Sequence, residues 1–302
     1  MADDIPYNSL FEIEHGVADQ ISPLVRRIVA PNASAFTFKG TCTYIVGKGE
    51  VAVIDPGPLD DSHLDAIRHE LQGETITHIL VTHTHNDHSP GARILSADTG
   101  IPTYAYGPHL SPPAEEGQLS LDAANDREFE PTHRMAHGDV IETDDWSFEC
   151  VFTPGHTANH MAFSLREENA LFSGDHVMAW ATSVVAPPDG NMTTYMESLS
   201  LLTKREDRLY WPGHGGPVNA PNKFVRAFIT HRRMRERAIV ERIEKGDRTV
   251  AAIVDNVYRG LSEKLVGAAR LSALAHIQDL VRRDRIIAEQ TDTAEMTYRP
   301  VR

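Results

Sequence analysis

The residues His83-Thr84-His85-Asn86-Asp87-His88 directly follow Ile76–Val81, an apolar run that predicts a buried β-strand. In an extended segment residues i and i+2 point the same way, so His83 and His85 can bind one metal ion. Asp87 and His88 come where the chain must turn, and they can face a second ion. A single histidine here would suit a surface or core position, but four potential ligands within six residues predict a metal site.

Three glycine-containing turns, each directly after a predicted strand, supply further candidate ligands. Glycine and proline let the backbone turn sharply, and such turns bring a side chain close to an ion. The turns are Pro154-Gly155-His156, Gly174-Asp175 and Pro212-Gly213-His214. Together with the histidine-rich hexapeptide, they extend the predicted metal site to the ends of several strands.

The first 220 residues otherwise alternate short β-type runs with helical segments. The predicted strands are Arg26–Ala30, Thr43–Gly47, Val51–Asp55, Ile76–Val81, Trp146–Phe152, Met161–Leu165, Ala170–Ser173 and Leu209–Trp211. The predicted helices are Ser62–Leu71, with Ser62 as the N-cap, and Thr193–Thr203. The polar stretch Gly107–Pro131 predicts a long loop or lid. This order of elements predicts a mixed α/β (α+β) domain over residues 1–220.

The sequence after Pro221 predicts mainly helices, unlike the first 220 residues. Three helices are predicted, over Phe224–Lys245, from a Thr249 cap through Tyr258, and over Leu265–Arg283. Two strands follow, Arg285–Glu289 and Glu295–Arg299, joined at Asp292. Three helices followed by a hairpin are typical of a winged helix, so residues 221–302 are predicted to form a second domain.

The net charge of the chain also changes sign at the boundary between residues 220 and 221. Residues 1–220 hold 12 Lys and Arg against 32 Asp and Glu, a net charge of −20, whereas the remainder holds 17 against 11, a net charge of +6. Such asymmetry favours two domains of different purpose. The chain has 16 histidines and only two cysteines, Cys42 and Cys150. We expect both cysteine side chains to be buried in the protein, and so few cysteines favour a reducing compartment. No run of 18 apolar residues and no signal-peptide pattern at the start are present, so a cytoplasmic protein without membrane contact is expected.

The sequence resembles the metallo-β-lactamase superfamily over roughly residues 25–220. The hexapeptide at residues 83–88 matches the HxHxDH motif of that family, and His156, Asp175 and His214 match its later ligand motifs. Asp55, in Val53-Ile54-Asp55-Pro56-Gly57, matches an early aspartate motif. The resemblance implies a four-layered αβ/βα sandwich with metals at one edge. The tail is similar to a lactamase-β-like group with a C-terminal winged helix, which includes bacterial hydrolases and a mitochondrial endoribonuclease.

The resemblance also implies a cofactor of two Zn²⁺ per chain and a role for each ligand. The first ion would be held by His83, His85 and His156, and the second by Asp87, His88 and His214, with Asp175 bridging the two. Zinc lowers the pKa of a bound water to near 7, and Asp87 is placed as the catalytic residue that orients this nucleophile. The local positive charge can stabilise an oxyanion or a phosphoryl group. The donor set alone leaves zinc, iron and manganese open.

Departures from relatives within the superfamily narrow the expected activity. Asp175 stands where many zinc β-lactamases carry a cysteine, which argues against antibiotic hydrolysis. His85 stands where the diiron oxygen-reducing relatives carry a glutamate, and it favours hydrolysis. Hydroxyacylglutathione hydrolases share the metal motifs, but their C-terminal region differs from this tail.

Several residues near the motifs have two interpretations. His160, four residues after His156, either supports a ligand or only packs. His176 follows Asp175 and, in an extended chain, points away from the metals, which favours a structural role. The stretch 186–190, Ala-Pro-Pro-Asp-Gly, is either a rim loop near the metals or a simple turn.

Three classes of function fit these features. The first is a dizinc hydrolase acting on a small, anionic ester, thioester or related acyl substrate. The second is a metal-dependent phosphodiesterase or endoribonuclease, and the third is a non-catalytic nucleic-acid-binding or scaffold protein. The complete ligand set argues against the third, and self-association stays open. The third tail helix carries few side chains that read bases over residues 266–276, so no sequence-specific DNA binding and at most weak RNA binding are expected.

Overall fold

The protein, in a computed structural model, is described over residues 5–113, 124–291 and 296–301. Within these residues a seven-stranded sheet follows the chain order from β1 to β7. Its strands are β1 (Asp19–Gln20), β2 (Val25–Val29), β3 (Cys42–Lys48), β4 (Glu50–Ile54), β5 (Thr75–Leu80), β6 (Thr103–Ala105) and β7 (His133–Arg134). Strands β1 to β4 pair antiparallel, and β4 to β7 pair parallel. The parallel half directs the carboxyl ends of β4, β5 and β6 to one edge.

A five-stranded sheet faces the first. Its strands are β8 (Val140–Glu142), β9 (Ser147–Phe152), β10 (Met161–Leu165), β11 (Ala170–Gly174) and β12 (Leu209–Pro212). Strands β8 to β11 pair antiparallel, whereas β11 and β12 pair parallel. Strands β9, β11 and β12 therefore run in the same direction, and their carboxyl ends meet at one edge of this sheet.

Alternation of side chains along the strands explains how the two sheets pack. In β3, Tyr44 lies in the core between the sheets, and Ile45 lies in the core beneath the outer helices. In β11, Phe172 lies between the sheets, and Leu171 lies against the helices of the opposite face. Successive strand residues point to opposite faces, so each sheet is apolar on both sides and needs helices outside.

Four helices cover these outer faces and complete a four-layered αβ/βα sandwich. The first sheet is covered by α1 (Asp61–Glu70) and α2 (Pro90–Thr99), and the second by α3 (Met192–Leu202) and the start of α4 (Pro221–Glu244). The fold class implied by the sequence resemblance is thus confirmed. Cys42 and Cys150 are buried and unpaired, as expected. No helix in the described part of the chain combines the length and apolar character needed to cross a bilayer.

The C-terminal elements have a core of their own. It is built by the second half of α4, by α5 (Val250–Val257) and α6 (Glu263–Arg282), and by a hairpin of β13 (Ile286–Gln290) and β14 (Met296–Pro300). Thr249 caps α5 by accepting a hydrogen bond from the Ala252 amide, as predicted. The predicted junction at Asp292 lies outside the described residues. The division at residue 220 stays a prediction.

One expectation about local structure was wrong, and one helix and four short strands were not predicted. Asp60, not Ser62, caps α1, because its carboxylate accepts a hydrogen bond from the His63 amide and the Ser62 hydroxyl donates to it. Helix α2 was not predicted, since it begins with Pro90-Gly91 and no side chain caps it. The short strands β1, β6, β7 and β8 span two or three residues each, too few for a periodic pattern.

The described parts of the predicted loop, residues 107–113 and 124–131, contain no α-helix or β-strand, although Asn125 forms an isolated bridge with His85, and the middle lies outside the described residues.

Candidate metal centre

The candidate ligands lie on loops that leave the carboxyl ends of four strands. The hexapeptide follows β5, His156 follows β9, Asp175 follows β11, and His214 follows β12. Two of these loops contain a glycine at which a Cβ would clash: at Gly155 it would lie 2.3 Å from the Tyr195 backbone, and at Gly213 it would lie 2.5 Å from the Asp175 carboxylate. The glycine at position 213 thus allows the backbone to approach a candidate ligand closely.

The seven candidate side chains form two adjoining groups. The first contains His83, His85, His156 and Asp175, and the second contains Asp87, His88 and His214. Within each group the potential ligand atoms all lie within 4.8 Å of one another. The Asp175 carboxylate also reaches the second group, with Oδ2 at 3.3 Å from His214 Nε2. This position between the groups is the one that the sequence resemblance implies for a bridging ligand.

Hydrogen bonds behind His83 fix which of its nitrogens faces the site. The Thr82 hydroxyl donates to Asp55 Oδ2 at 2.7 Å, because a carboxylate can only accept. The same hydroxyl must then accept from His83 Nδ1, which lies 3.0 Å away. The proton of His83 therefore sits on Nδ1, and the lone pair of Nε2 points toward His85 Nδ1, 3.0 Å away.

The same arrangement fixes three other imidazoles. His88 Nδ1 lies 2.9 Å from Asp55 Oδ2, His156 Nδ1 lies 2.6 Å from the Val184 carbonyl, and His214 Nδ1 lies 3.2 Å from the Gly40 carbonyl. Each of these acceptors requires a proton on Nδ1, which leaves Nε2 as the atom that faces the centre. Partners of this kind behind metal-binding histidines set the tautomer and the ring orientation.

Two buried atoms indicate that the centre suits a cation. His88 Nε2 and Asp175 Oδ1 are buried, have no hydrogen-bond partner among the described residues, and lie 3.6 Å apart. Imidazole nitrogens with carboxylate oxygens are a donor set that fits zinc, and also iron or manganese. The residues present therefore fit a metal pair.

The pKa values of His88 and His85 show where the carboxylates favour a positive charge. Burial lowers the pKa of His88, but Asp87, Asp175 and Asp55 outweigh it and raise this pKa to about 9. Burial and the neighbouring His156 lower the pKa of His85 to about 3. His88 thus attracts a proton in the absence of metal, whereas His85 keeps a neutral lone pair. Metal binding to the second group would release protons.

The residues with two sequence interpretations are now placed. Asp55 accepts hydrogen bonds from the Thr82 amide, the Thr82 hydroxyl and His88. His160 Nε2 accepts from the Asp175 amide at 3.2 Å, so it supports a ligand through the backbone. His176 lies outside both ligand groups, with its ring against those of Tyr195 and His160.

Sequence reasoning missed the residues that support the ligands from behind. Thr82 links Asp55 to His83, and its only signal is its position between a buried strand and the first histidine. Asn159 donates to the Thr84 hydroxyl at 2.8 Å and to the Pro108 carbonyl at 3.0 Å, which ties the hexapeptide loop to a distant segment. The contacts of Thr82 with Asp55 and of Asn159 with Thr84 and Pro108 join residues far apart in the chain, so no local sequence pattern predicts them.

A cavity of about 430 Å³ opens onto both ligand groups. Apart from candidate ligands, it is lined by Phe36, Thr37, Ala124, Met178 and Val184. The stretch at residues 186–189 lies beside His85 and His156, so it is a rim loop rather than a remote turn. The centre therefore adjoins a mainly apolar space large enough for a small organic group.

A four-layered αβ/βα sandwich with two imidazole–carboxylate groups at one edge defines a class of metal-dependent hydrolases. The profile of the Metallo-beta-lactamase superfamily matches residues 36–214, and the chain therefore belongs to the metallo-β-lactamase superfamily. The profile of the beta-lactamase associated winged helix domain matches residues 249–294. The predicted family and its winged-helix tail are both confirmed.

Individual relatives agree with this assignment. The chain is 29% identical over 266 residues to the lactamase-like protein adaB of Aspergillus niger, covering 82% of this chain and 77% of the relative. It is 31% identical over 252 residues to the atrochrysone carboxyl ACP thioesterase AgnL7 of Paecilomyces divaricatus, covering 80% and 73%. The fold is similar to the crystal structure of a beta-lactamase domain protein from Burkholderia ambifaria, with a TM-score of 0.80, 20% identity, and 95% and 94% coverage. The protein is a metal-dependent hydrolase.

Proposed function

We propose that the protein is a dinuclear zinc hydrolase that cleaves a small acyl thioester. The observation that carries this proposal is the pair of adjoining ligand groups at the mouth of a cavity with apolar walls. The thioesterase named among its relatives supports the same class of substrate. A cytoplasmic location also stays a prediction.

We assign the first zinc ion to His83, His85 and His156, and the second to Asp87, His88 and His214, with Asp175 between them. When bound, the two ions supply Lewis acidity and lower the pKa of a water enough for attack at neutral pH. The chain's own part is to hold four of the imidazoles with Nε2 inward, through the hydrogen bonds that their Nδ1 atoms make. These contacts fix the geometry before substrate arrives.

Asp87 is the carboxylate best placed to orient the nucleophile. Its Oδ2 lies 3.2 Å from His214 Nε2 and accepts a hydrogen bond from the Thr41 hydroxyl at 3.3 Å. Its side chain lines the cavity, unlike the buried Asp55. The pKa of Asp87 is held below the usual range, since His88 and His214 outweigh the effect of burial, so it stays an acceptor at neutral pH.

The leaving group distinguishes a thioester from an oxygen ester or an amide. Among the described cavity-lining residues, Thr37 is the one polar side chain that is not a candidate ligand. A thiolate, whose conjugate acid has a pKa of about 8.5, can depart without a proton donor. Alkoxides and amines need one, so the residues around this cavity favour a thioester.

The cavity walls favour an apolar acyl group. Phe36, Met178 and Val184 can pack against an alkyl or aryl portion while the carbonyl lies at the ligand groups. No Lys or Arg among the described residues lines this cavity, so an anionic substrate, which stays a prediction, would depend on the metal ions for positive charge.

Metal analysis and thioester hydrolysis test the proposal together. We expect about two zinc ions per chain and turnover of acyl thioesters, with the acyl group on a small thiol or on ACP. Asp87→Asn should keep the fold and largely abolish turnover. Protein without bound transition metal, or full activity in Asp87→Asn, would contradict the proposal. Metal-dependent RNA cleavage that Asp87→Asn abolishes would instead support the endoribonuclease alternative.

A further inference from the structure

One buried cation of the C-terminal helices lies against a loop of the metal centre. Arg232, on α4, is 3% exposed, and its Nη2 donates to the Ser183 carbonyl at 2.5 Å. Its guanidinium also lies over the Tyr195 ring, 5.1 Å from the centroid. Burying a guanidinium is costly unless its hydrogen bonds are used, so this contact constrains both partners.

The segment that Arg232 contacts supports two candidate ligands. The Ser183 hydroxyl lies 2.5 Å from the Asp175 carbonyl and 2.8 Å from the His176 carbonyl, and it can donate to either. The next residue, Val184, accepts the His156 Nδ1 proton at 2.6 Å. A shift of this dipeptide would therefore disturb the backbone of Asp175 and the ring orientation of His156 together.

Tyr195 joins the same arrangement from α3. Its hydroxyl donates to the His176 carbonyl at 2.9 Å, while its ring lies beneath Arg232. The loop between Asp175 and Ser183 is thus held at both ends, by a hydroxyl from α3 and a guanidinium from α4. These contacts connect the start of the C-terminal segment to the metal centre.

We propose that Arg232 is a positioning residue for the metal centre, acting through Ser183 and Val184 on Asp175 and His156. The inference rests on the metal centre of the proposed function and not on the identity of the substrate. It assigns α4 a role in metal binding, beyond the core that this helix shares with α3. Without the Arg232 contact, the Val184 carbonyl would hold the His156 tautomer less firmly, and metal affinity would fall.

The test compares full-length variants in zinc affinity, measured by competition with a chelator. Arg232→Gln should weaken zinc binding, by less than the roughly 10- to 100-fold that loss of a direct partner of a ligand causes, because Arg232 acts through Ser183. Arg232→Lys, which keeps one donor and the charge, should recover part of the loss. Arg235→Gln is the matched control, because Arg235 lies on the same helix but over the Tyr258 ring of the C-terminal core, and it should bind zinc normally.

A spectroscopic readout separates positioning from stability. With Co²⁺ in place of zinc, Arg232→Gln should change the visible absorption bands, while Arg235→Gln should leave them as in the wild type. Should Arg232→Gln fail to fold, Arg232→Lys decides, since it should still weaken zinc binding. Ser183→Ala tests the next link, because it removes the hydroxyl that contacts Asp175 and keeps the carbonyl that accepts from Arg232. Wild-type zinc affinity and cobalt spectra in the folded Arg232 and Ser183 variants would overturn the inference. Wild-type protein that binds zinc but cleaves no thioester would refute the proposed substrate alone.

Discussion

Replacing Asp55 by asparagine should weaken both metal positions through one substitution. The Asp55 carboxylate accepts hydrogen bonds from the Thr82 amide at 2.7 Å, the Thr82 hydroxyl at 2.7 Å and His88 Nδ1 at 2.9 Å. An asparagine offers one acceptor oxygen, so its amide nitrogen must face at least one of these donors. If the Thr82 hydroxyl turns to accept from that nitrogen, its proton faces His83 Nδ1, and His83 must place its own proton on Nε2.

The expected magnitude follows from these contacts. A lost hydrogen bond to a buried charged group costs about 1.5–3 kcal/mol in the free energy of unfolding. Loss of support behind metal ligands lowers metal affinity about 10- to 100-fold. Because Asp55 supports His88 directly and His83 through Thr82, both zinc ions should bind more weakly in Asp55→Asn.

Chelator competition on the folded variant measures this effect, with urea unfolding of the metal-free protein as the parallel readout. Asp207→Asn is the control, since Asp207 is also buried and accepts from Ser164 and Arg205 but belongs to neither ligand group. The control should lose stability and keep zinc affinity. Unchanged zinc affinity in a folded Asp55→Asn protein would refute the reasoning.

Three further predictions concern the tail, pH and nucleic acids. A 1–221 fragment should aggregate, because it lacks Phe224 and Phe228, which pack in the core of the second sheet; light scattering would check this, and a monodisperse, active fragment would contradict it. Burial lowers the pKa of His63 from 6.5 to about 4, so the unfolded chain binds more protons between these values. Protonation of His63 alone should therefore lower stability by about 3 kcal/mol as the pH drops from 6.5 to 4, and urea titrations should show a smaller fall in His63→Leu. An equal fall in both proteins would exclude this cause. In fluorescence anisotropy, duplex DNA should not bind sequence-specifically, because residues 266–276 of α6 carry few side chains that read bases and Ala275 packs in the core outside the second sheet; submicromolar binding at physiological salt would refute this.

The chemistry of the site could be predicted because it is encoded locally. Four candidate ligands occupy residues 83–88, and the other three follow strands in glycine-containing turns. The longer strands were equally readable, since short apolar runs such as Ile76–Val81 predict strands that are buried on both faces. The role of α4 was only partly predicted. The start of this helix packs Phe224 and Phe228 into the core that it shares with α3, whereas Ile239 belongs to the C-terminal core.

The supporting contacts could not be predicted because they depend on tertiary structure. In the sequence, Arg232 is one of several arginines on the predicted helix Phe224–Lys245, yet it is buried against Ser183, 49 residues away in the chain. The hydrogen bond between His160 and the Asp175 amide likewise requires β10 and β11 to be paired. Periodicity describes which face of an element is apolar, and it does not describe which polar groups meet across that face.

The order of the ligands along the chain has a consequence for how the protein acquires its ions. His83 and His85 are synthesised long before Asp175, and Asp87 and His88 long before His214, so neither group exists until both sheets have formed and docked. A zinc finger, whose ligands are near neighbours in sequence, folds around its ion. Here the apoprotein must fold first, and uptake then depends on entry through the cavity. Chelation should accordingly leave a folded protein that can be reloaded without denaturation.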